Sequence, residues 1–151
     1  MKNKSNLIIS ILIPLAVGSI SSLLSGNMSQ MNYIQPDFTP PAIVFPIVWT
    51  ILYVLMGISS YIIYESDHPN KSKALRIYGI QLFFNFFWSI LFFRFSAYFL
   101  SLIWLLVLII LIIIMIFRFY KISPIAAYLQ IPYLLWCMFA SYLNYVVFVL
   151  N

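Results

Sequence analysis

Residues 97–117 read AYFLSLIWLLVLIILIIIMIF, a stretch that contains no charged side chain and is followed directly by Arg118. A helix that crosses the hydrocarbon core of a bilayer needs about 20 predominantly apolar residues. All the backbone hydrogen bonds of such a helix are made within the segment, so lipid can surround it. The stretch therefore predicts a transmembrane helix, and lipid becomes the solvent in which the rest of the chain is interpreted.

The composition of the whole chain is typical of a membrane protein. Of its 151 residues, 64% are hydrophobic and 7% are charged, whereas soluble domains carry roughly 25% charged residues. Five spans of about 20 residues each, with short connections, use up the chain and leave no room for a soluble catalytic domain. We predict one domain over residues 1–151, an all-α integral membrane bundle of five transmembrane helices.

The predicted helices cover residues 7–24, 42–64, 74–93, 97–117 and 122–150. The first apolar run follows Lys2 and Lys4 in the manner of a signal peptide, but it is too long for a signal core and has no small-residue cleavage site, so we expect it to be retained. Residues 25–41, rich in Asn and Pro, are expected to form the longest loop outside the membrane. Pro132 should kink the last helix, because proline lacks the backbone N–H of a helical hydrogen bond.

The net charge of +5 comes from cations at the ends of the apolar runs. Those on the side of the N-terminus are Lys2, Lys4, Lys71, Lys73, Arg76, Arg118 and Lys121, and Arg94 stands alone on the other side. Since Lys and Arg stay in the cytoplasm, we predict a bacterial plasma membrane protein with its N-terminus cytoplasmic and its C-terminus outside. Cations distributed in this way indicate a lipid bilayer as the partner, and no nucleic acid.

Polar and aromatic residues recur at helical spacing within three of the predicted spans. The stripes are Trp49, Tyr53 and Gly57 in the second, Gln81, Asn85 and Trp88 in the third, and Pro132, Trp136, Ala140 and Asn144 in the fifth. A polar side chain without a partner in hydrocarbon costs on the order of a few kcal/mol, so such residues face protein, a cavity or a ligand.

Two interpretations of these stripes remain open. Taken singly, the amides are equally consistent with hydrogen bonds between helices and the aromatic residues with the headgroup belt. Taken together, with Gly57 and Ala140 leaving space along them, the stripes favour a cavity for a large, flat, apolar molecule with a few polar handles.

The chain offers little for acid–base or metal chemistry. No carboxylate lies within a predicted span, and the only histidine, His68, lies in a connecting segment, which argues against a proton relay or a Ser–His–Asp site. Cys137 is the only cysteine, so an internal disulfide and a cysteine metal cluster are excluded. We interpret His68 as a solvated side chain and Cys137 as a small core residue, and we predict no metal and no cofactor.

Three segments of the chain carry the motifs of one membrane protein family. They are QPDFTPP at 35–41 with FPIVWTILY at 45–53, QLFFNFFW at 81–88, and PYLLWCMFASYLN at 132–144. In order and spacing these segments resemble the TspO/translocator protein family, also called tryptophan-rich sensory proteins or peripheral benzodiazepine receptors. The resemblance extends over essentially the whole chain.

The resemblance implies a five-helix bundle, commonly homodimeric, whose internal pocket is capped by the first loop. Family members bind porphyrins, notably protoporphyrin IX, and drugs of the benzodiazepine and isoquinoline-carboxamide types. By motif match, the ligand-binding residues would be Tyr33, Pro41, Trp49, Tyr53, Asn85, Trp88, Trp136, Ala140 and Leu143. In some bacterial relatives a light-dependent breakdown of protoporphyrin is attributed to tryptophans at the positions of Trp49 and Trp136, which would then be catalytic.

The chain departs from the family pattern at several positions. Phe38 stands where the family usually has Trp, and Gln35 where it has Lys, so a cationic partner for a porphyrin propionate is missing. No Lys or Arg follows Tyr145, and a cholesterol motif of the animal type is therefore unsupported.

Three functions remain open from the sequence. The first is a receptor or sensor for tetrapyrroles, the second an enzyme that degrades protoporphyrin IX with light and oxygen, and the third a tetrapyrrole transporter. A transporter ranks last, because the predicted interior has no charged residue and the chain has no inverted half-repeats.

Overall fold

A computed structural model describes residues 4–26, 36–41 and 43–151 of the chain. Its helices are α1 (Lys4–Ser25), α2 (Val44–Tyr64), α3 (Lys71–Ser89), α4 (Tyr98–Ile122), α5 (Pro124–Leu129) and α6 (Ile131–Leu150). Within those ranges the chain forms helices and turns and no strand. The predicted all-α class is confirmed.

Five helical segments are long and apolar enough to cross a bilayer. They are Lys4–Ser25, Val44–Tyr64, Lys71–Arg94, Tyr98–Ile122 and Pro124–Leu150. The fourth continues past the predicted end at residue 117, because Arg118 and Lys121 remain helical and their long side chains can extend towards the headgroups. The chain is thus an integral membrane bundle of five spanning segments, as its composition predicts.

Proline and glycine mark several of the helix ends. Gly26, with a φ of +94°, follows α1 in the left-handed conformation that commonly ends helices. The last span is divided at Gln130, between α5 and α6, and Pro132 lies in the first turn of α6. Because proline has no backbone N–H to donate, the break at Gln130 leaves no helical hydrogen bond unmade at Pro132. The sequence predicts an interruption of the last helix at this proline.

A π-helical turn over Ile90–Arg94 extends α3 towards the connection with α4. The N–H of Phe95 donates to the carbonyl of Ile90 at 3.2 Å, and the N–H of Ala97 donates to that of Leu91 at 2.9 Å. Between them, Ser96 has a φ of 51°. These bonds close the helix end tightly, so the chain reverses into α4 over residues 95–97.

The spanning segments run alternately up and down, and side-chain contacts identify the two ends of the bundle. At one end Asn6 Nδ2 donates to Glu65 Oε1 at 2.8 Å. At the other, the Arg94 guanidinium donates to the carbonyl of Leu24 at 3.1 Å. We call the half that contains Asn6 and Glu65 the basal half, and the half that contains Leu24 and Arg94 the apical half.

The basal half is closely packed. Its core includes side chains with no exposed surface: Met56, Ile63, Ile112, Met115, Phe119, Ala126 and Cys137. Outside the bundle the surface is apolar as well, with Phe117 66% and Ile125 65% exposed. A soluble protein does not present so many large apolar side chains to water, whereas a bilayer accommodates them.

Candidate functional site

The apical half encloses a cavity of about 450 Å³ between α1, α2, α3, α4 and α6. The described side chains that line it are Leu15, Gly18, Ser19, Ser21, Ser22, Leu23, Ser25, Thr39, Phe45, Pro46, Trp49, Thr50, Tyr53, Asn85, Trp88, Ser89, Phe92, Phe93, Leu105, Leu108, Ala140, Leu143, Asn144 and Val147. None of these residues is charged. The volume lies within the roughly 300–1,000 Å³ typical of small-molecule sites.

Stacked aromatic rings form two walls of the cavity. Trp49 stacks on Tyr53, with ring centroids 5.5 Å apart and an interplanar angle of 27°. Trp88 stacks on Phe92 with nearly the same geometry, 5.5 Å and 29°. The two pairs come from α2 and from the end of the third span. Their rings present broad apolar surface to a flat ligand.

A chain of hydrogen bonds forms the polar floor of the cavity, which we define as Tyr53, Asn85, Tyr133 and Gln81. Tyr53 Oη donates to Asn85 Oδ1 at 2.6 Å, and Asn85 Nδ2 donates to Tyr133 Oη at 2.9 Å. Tyr133 Oη in turn donates to Gln81 Oε1 at 2.6 Å. The polar floor connects α2, α3 and α6 and separates the cavity from the basal core.

Asn85 keeps hydrogen-bonding capacity for a ligand. Its amide can donate two hydrogen bonds and accept two, and the polar floor uses one of each. Because Asn85 lines the cavity and is buried, the remaining capacity lies in a place that water reaches poorly. A bound carbonyl, amide or pyrrole group would find both a donor and an acceptor there.

A second amide, Asn144, holds the wall on the other side. Its Oδ1 accepts from Trp88 Nε1 and from Ser101 Oγ, each at 3.1 Å, and its Nδ2 donates to the carbonyl of Tyr98 at 2.9 Å. These bonds fix the Trp88 indole against α6. We therefore assign Asn144 a positioning role, whereas the Asn85 amide has a donor and an acceptor left for a ligand.

Serine hydroxyls bind α1 to α3 at the edge of the cavity. Ser21 Oγ donates to the carbonyl of Phe86 at 2.6 Å, and Ser89 Oγ lies 2.7 Å from Ser21 Oγ and 2.8 Å from Ser25 Oγ. Small residues such as these let helices approach closely in a membrane. The repeated spacing of Ser21 and Ser25, four residues apart, was the signal that could have assigned them to one face.

Thr39 contributes a hydroxyl without a partner. It precedes α2, lines the cavity, and its Oγ1 is buried without a hydrogen bond in the described part of the chain. A buried polar atom of this kind has lost its hydration and gains from any ligand group that bonds it. Nothing in the sequence motif distinguishes the Thr39 side chain from that of an ordinary loop residue.

Gly57 does not leave space for a ligand, contrary to the sequence-based expectation. A Cβ atom at this position would overlap Cα of Ile11 and would lie 2.7 Å from the carbonyl oxygen of Ser10. The room beside Gly57 is therefore filled by the backbone of α1. Gly18 on α1 likewise makes room for the ring of Tyr53, so both glycines serve the contact between α1 and α2.

The structure brings six of the nine predicted ligand-binding residues to the cavity. These six are Trp49, Tyr53, Asn85, Trp88, Ala140 and Leu143. Pro41 is exposed and does not line it; its carbonyl accepts from the N–H of Val44 at 2.9 Å, where α2 begins. Tyr33 lies outside the described residues. For Pro41 and Tyr33, contact with a ligand stays a prediction.

Trp136, the ninth predicted ligand-binding residue, is not among the described residues that line the cavity. Its ring centroid is 5.8 Å from that of Phe45, which does line the cavity, and 5.4 Å from that of Phe139. The indole Nε1 is buried without a hydrogen-bond partner in the described ranges. The two tryptophans that the resemblance implies to act together are therefore placed differently, since Trp49 lines the cavity and Trp136 contacts the cavity-lining Phe45 without being one of the described lining residues itself.

Five membrane-spanning segments around an aromatic cavity with amide and hydroxyl groups define a class of small integral membrane proteins with an internal cavity. A sequence profile of the TspO/MBR family matches residues 10–150, and the chain belongs to this family. It is 39% identical to the tryptophan-rich protein TspO of Archaeoglobus fulgidus over 99% of both chains.

Two further relatives extend the comparison to other groups of organisms. The chain is 33% identical to the tryptophan-rich protein TspO of Chlorobaculum tepidum, over 91% of this chain and 90% of that protein. It is 34% identical to the translocator protein homolog of Schizosaccharomyces pombe, over 88% of this chain and 84% of the relative.

Proposed function

We propose that the protein is a membrane receptor or sensor that binds a porphyrin such as protoporphyrin IX, and drugs of the benzodiazepine and isoquinoline-carboxamide types, in the apical cavity. The observation that carries the proposal is the cavity in which two stacked aromatic pairs flank the amide of Asn85. A flat aromatic ligand would lie along the rings, and its polar atoms would bond Asn85. The absence of charged groups among the described lining residues favours ligands with a large apolar surface.

The test is a titration of the purified protein with protoporphyrin IX, followed by quenching of tryptophan fluorescence. We expect saturable quenching, and weaker binding for Trp49→Phe because the phenyl ring covers less of the ligand. Trp104→Phe is the matched control, since Trp104 does not line the cavity and its Nε1 donates to the carbonyl of Phe84 at 2.7 Å. Equal dissociation constants for the unaltered protein, Trp49→Phe and Trp136→Phe would refute the site.

A second candidate is an enzyme that degrades protoporphyrin IX with light and oxygen. The placement of Trp49 on the cavity wall favours it, because an indole beside an excited porphyrin is an oxidisable neighbour and the chemistry needs no general acid or base. Trp136 contacts the cavity-lining Phe45, so we expect a smaller contribution from it than from Trp49. The excited porphyrin and dioxygen are then the reactants, and the protein binds one of them.

Illumination of the porphyrin complex with and without dioxygen tests this candidate. The expected result is oxygen-dependent loss of porphyrin absorbance that slows in Trp49→Phe and, to a smaller degree, in Trp136→Phe. The rates are compared at saturating porphyrin, so that weaker binding does not imitate slower chemistry. If both variants consume porphyrin as fast as the unaltered protein, the protein is a receptor only.

We further propose that the bundle lies in a bacterial plasma membrane with its N-terminus in the cytoplasm. Lys71 and Arg118 lie at the basal end and Arg94 at the apical end, which supports this orientation by the positive-inside rule. In a cysteine-free Cys137→Ser background, an impermeant maleimide should label Ser96→Cys in intact cells and Asp67→Cys only after permeabilisation. The reverse pattern would invert the topology.

The family resemblance also leads us to propose a homodimer. Light scattering of the detergent-solubilised protein, corrected for bound detergent, should give twice the mass of one chain. A mass of 17.6 kDa would identify a monomer.

A further inference from the structure

A groove of about 350 Å³ opens between the start of α3 and the end of α4, at the basal end and away from the apical cavity. Its lining residues are Asn70, Lys73, Ile114, Phe117, Arg118 and Lys121. The two helices are antiparallel neighbours, since Tyr78 near the start of α3 contacts Phe119 near the end of α4, with ring centroids 6.2 Å apart. The groove therefore lies where the bundle leaves the hydrocarbon region.

Three cations converge on this groove without a counter-charge. Lys73, Arg118 and Lys121 have neither a hydrogen bond from their side chains nor an ion pair with any described residue. Like charges held on two adjacent helices repel each other, and the repulsion is stronger beside a medium of low dielectric constant. An anion between them would relieve it.

The position of Lys73 is the least favourable of the three. Arg118 and Lys121 lie in the last turns of α4, where cations complement the helix dipole. Lys73, however, lies in the first turn of α3, at the positive end of its dipole, and that turn contains no acidic residue. No side chain caps the helix either, so its free N–H groups add to the attraction for an anion.

The same groove also presents apolar side chains to the membrane. Phe117 is 66% and Ile114 is 36% exposed, and both line the groove beside the cations. A small water-soluble anion would make no use of them. A phospholipid would, because its acyl chain can lie on the apolar residues while its phosphate reaches the cations.

We propose that this groove binds an anionic phospholipid, with the headgroup phosphate between Lys73, Arg118 and Lys121 and one acyl chain along Ile114 and Phe117. A lipid bound there bridges α3 and α4 at the basal end. The site is distinct from the apical cavity, and it does not depend on the function proposed for that cavity.

The test uses the full-length protein, purified in a neutral detergent and titrated with phosphatidylglycerol or phosphatidylcholine while retained lipids are counted by native mass spectrometry. We expect a preference for phosphatidylglycerol that falls roughly thirtyfold in the double variant Lys73→Gln/Lys121→Gln, because two cations that each contribute about 1 kcal/mol near an anionic lipid together correspond to that factor. The matched control is Lys4→Gln/Lys71→Gln, which removes the same charge at the same end without touching the groove lining.

Each outcome decides the proposal. Loss of the preference in the groove variant alone supports it, whereas equal loss in both variants would reduce the effect to overall charge and overturn it. Inorganic phosphate and glycerol phosphate, added at matched concentration, should neither displace the retained lipid nor raise the melting temperature. If either anion displaces the lipid and raises the melting temperature as much as phosphatidylglycerol does, the groove binds a free anion and the proposed acyl-chain contact is wrong. Circular dichroism of the variants verifies that they are folded.

Discussion

The two halves of the bundle are built from the same spanning segments but packed in opposite ways. In the basal half large apolar side chains from α2 and α4, such as Met56, Ile63 and Ile112, have no exposed surface. In the apical half the corresponding helices leave a cavity of about 450 Å³. Side-chain volume explains part of the difference, because small residues, mainly serine, form the α1 side of the cavity.

The polar floor marks the boundary between these halves. In it, tyrosine hydroxyls bond both groups of the Asn85 amide and the oxygen of the Gln81 amide, and they hold these side chains in place more firmly than water would. Protein interiors lose stability when space is left unfilled, so a cavity can persist only where the rest of the structure is firm. The comparison indicates that the basal half and the polar floor stabilise the fold, and that the apical half is available for binding.

The largest expected effect is on the contact of α1 with α2. Gly57→Ala places a methyl group against the Ile11 backbone, which no side-chain rotation can relieve, so we expect a loss of about 1–3 kcal/mol in the free energy of unfolding. Unfolding by sodium dodecyl sulfate in mixed micelles, followed by circular dichroism, measures it.

The control for this prediction is Gly79→Ala, on α3. A Cβ at Gly79 meets no atom within 4 Å, and alanine favours a helix over glycine by about 1 kcal/mol, so stability should stay equal or rise. If Gly57→Ala is as stable as Gly79→Ala, the α1–α2 contact is looser than described.

The next effect concerns the polar floor. Tyr133→Phe removes the hydroxyl that accepts from Asn85 and donates to Gln81, which leaves two buried amides each short of one partner. We expect a loss of about 1–2 kcal/mol of unfolding free energy, above the average of about 0.6 kcal/mol for a hydrogen bond within membranes. The same detergent unfolding assay applies.

Tyr145→Phe, on the same helix, is the matched control because that side chain is 52% exposed on the outside of the bundle. If Tyr133→Phe is as stable as the unaltered protein, its hydrogen bonds do not stabilise the fold and Tyr133 contributes through its ring; an equal loss in both variants would show that the effect is not specific to the polar floor.

The sequence predicts the spanning segments of the bundle better than it predicts the contacts around the apical cavity. The five spans follow from apolar length, and Asn85 and Trp49 were assigned to the interior because amides and indoles at helical spacing are unfavourable in lipid. The role of Gly57 was missed, since spacing places a residue on a face but does not say whether a ligand or another helix fills the room beside it. For the same reason spacing did not reveal that Trp136 packs against Phe45, and its contact with a ligand stays a prediction.

Tertiary partners explain the remaining gaps. Tyr133 lies within a recognised motif, but its two hydrogen bonds reach α3, about 50 positions earlier in the chain. No local pattern reveals such a bond. The serines of α1 show the same limitation, because small residues signal close packing while their hydroxyl partner, Ser89, is known only from the fold.

A smaller effect is expected when the cavity is filled. Ala140 lines it and is buried, so Ala140→Leu should weaken binding of protoporphyrin IX about tenfold, or by about 1.4 kcal/mol, with little change in the free energy of unfolding. Met138→Leu, at a side chain that is 51% exposed on α6, is the control. Unchanged affinity in Ala140→Leu would place the ligand elsewhere.

The smallest expected effect is a difference in ligand affinity between variants of the two threonines at the cavity, Thr39 and Thr50. Thr39→Val removes a buried hydroxyl that has no partner among the described residues, so the protein alone should be as stable as before or slightly more stable. Its affinity for a ligand with a polar edge should nevertheless fall about fivefold, the loss of one hydrogen bond of about 1 kcal/mol.

Thr50→Val is the comparison, because Thr50 Oγ1 already donates to the carbonyl of Pro46 at 2.7 Å and has no proton left to offer. Affinities are measured by titration with an isoquinoline carboxamide, whose amide oxygen needs a donor. If Thr39→Val binds it as well as Thr50→Val does, the ligand bonds Asn85 alone, and Thr39 belongs to the loop rather than to the site. A selective loss in Thr39→Val would instead extend the apical site from the helices to the segment that precedes α2.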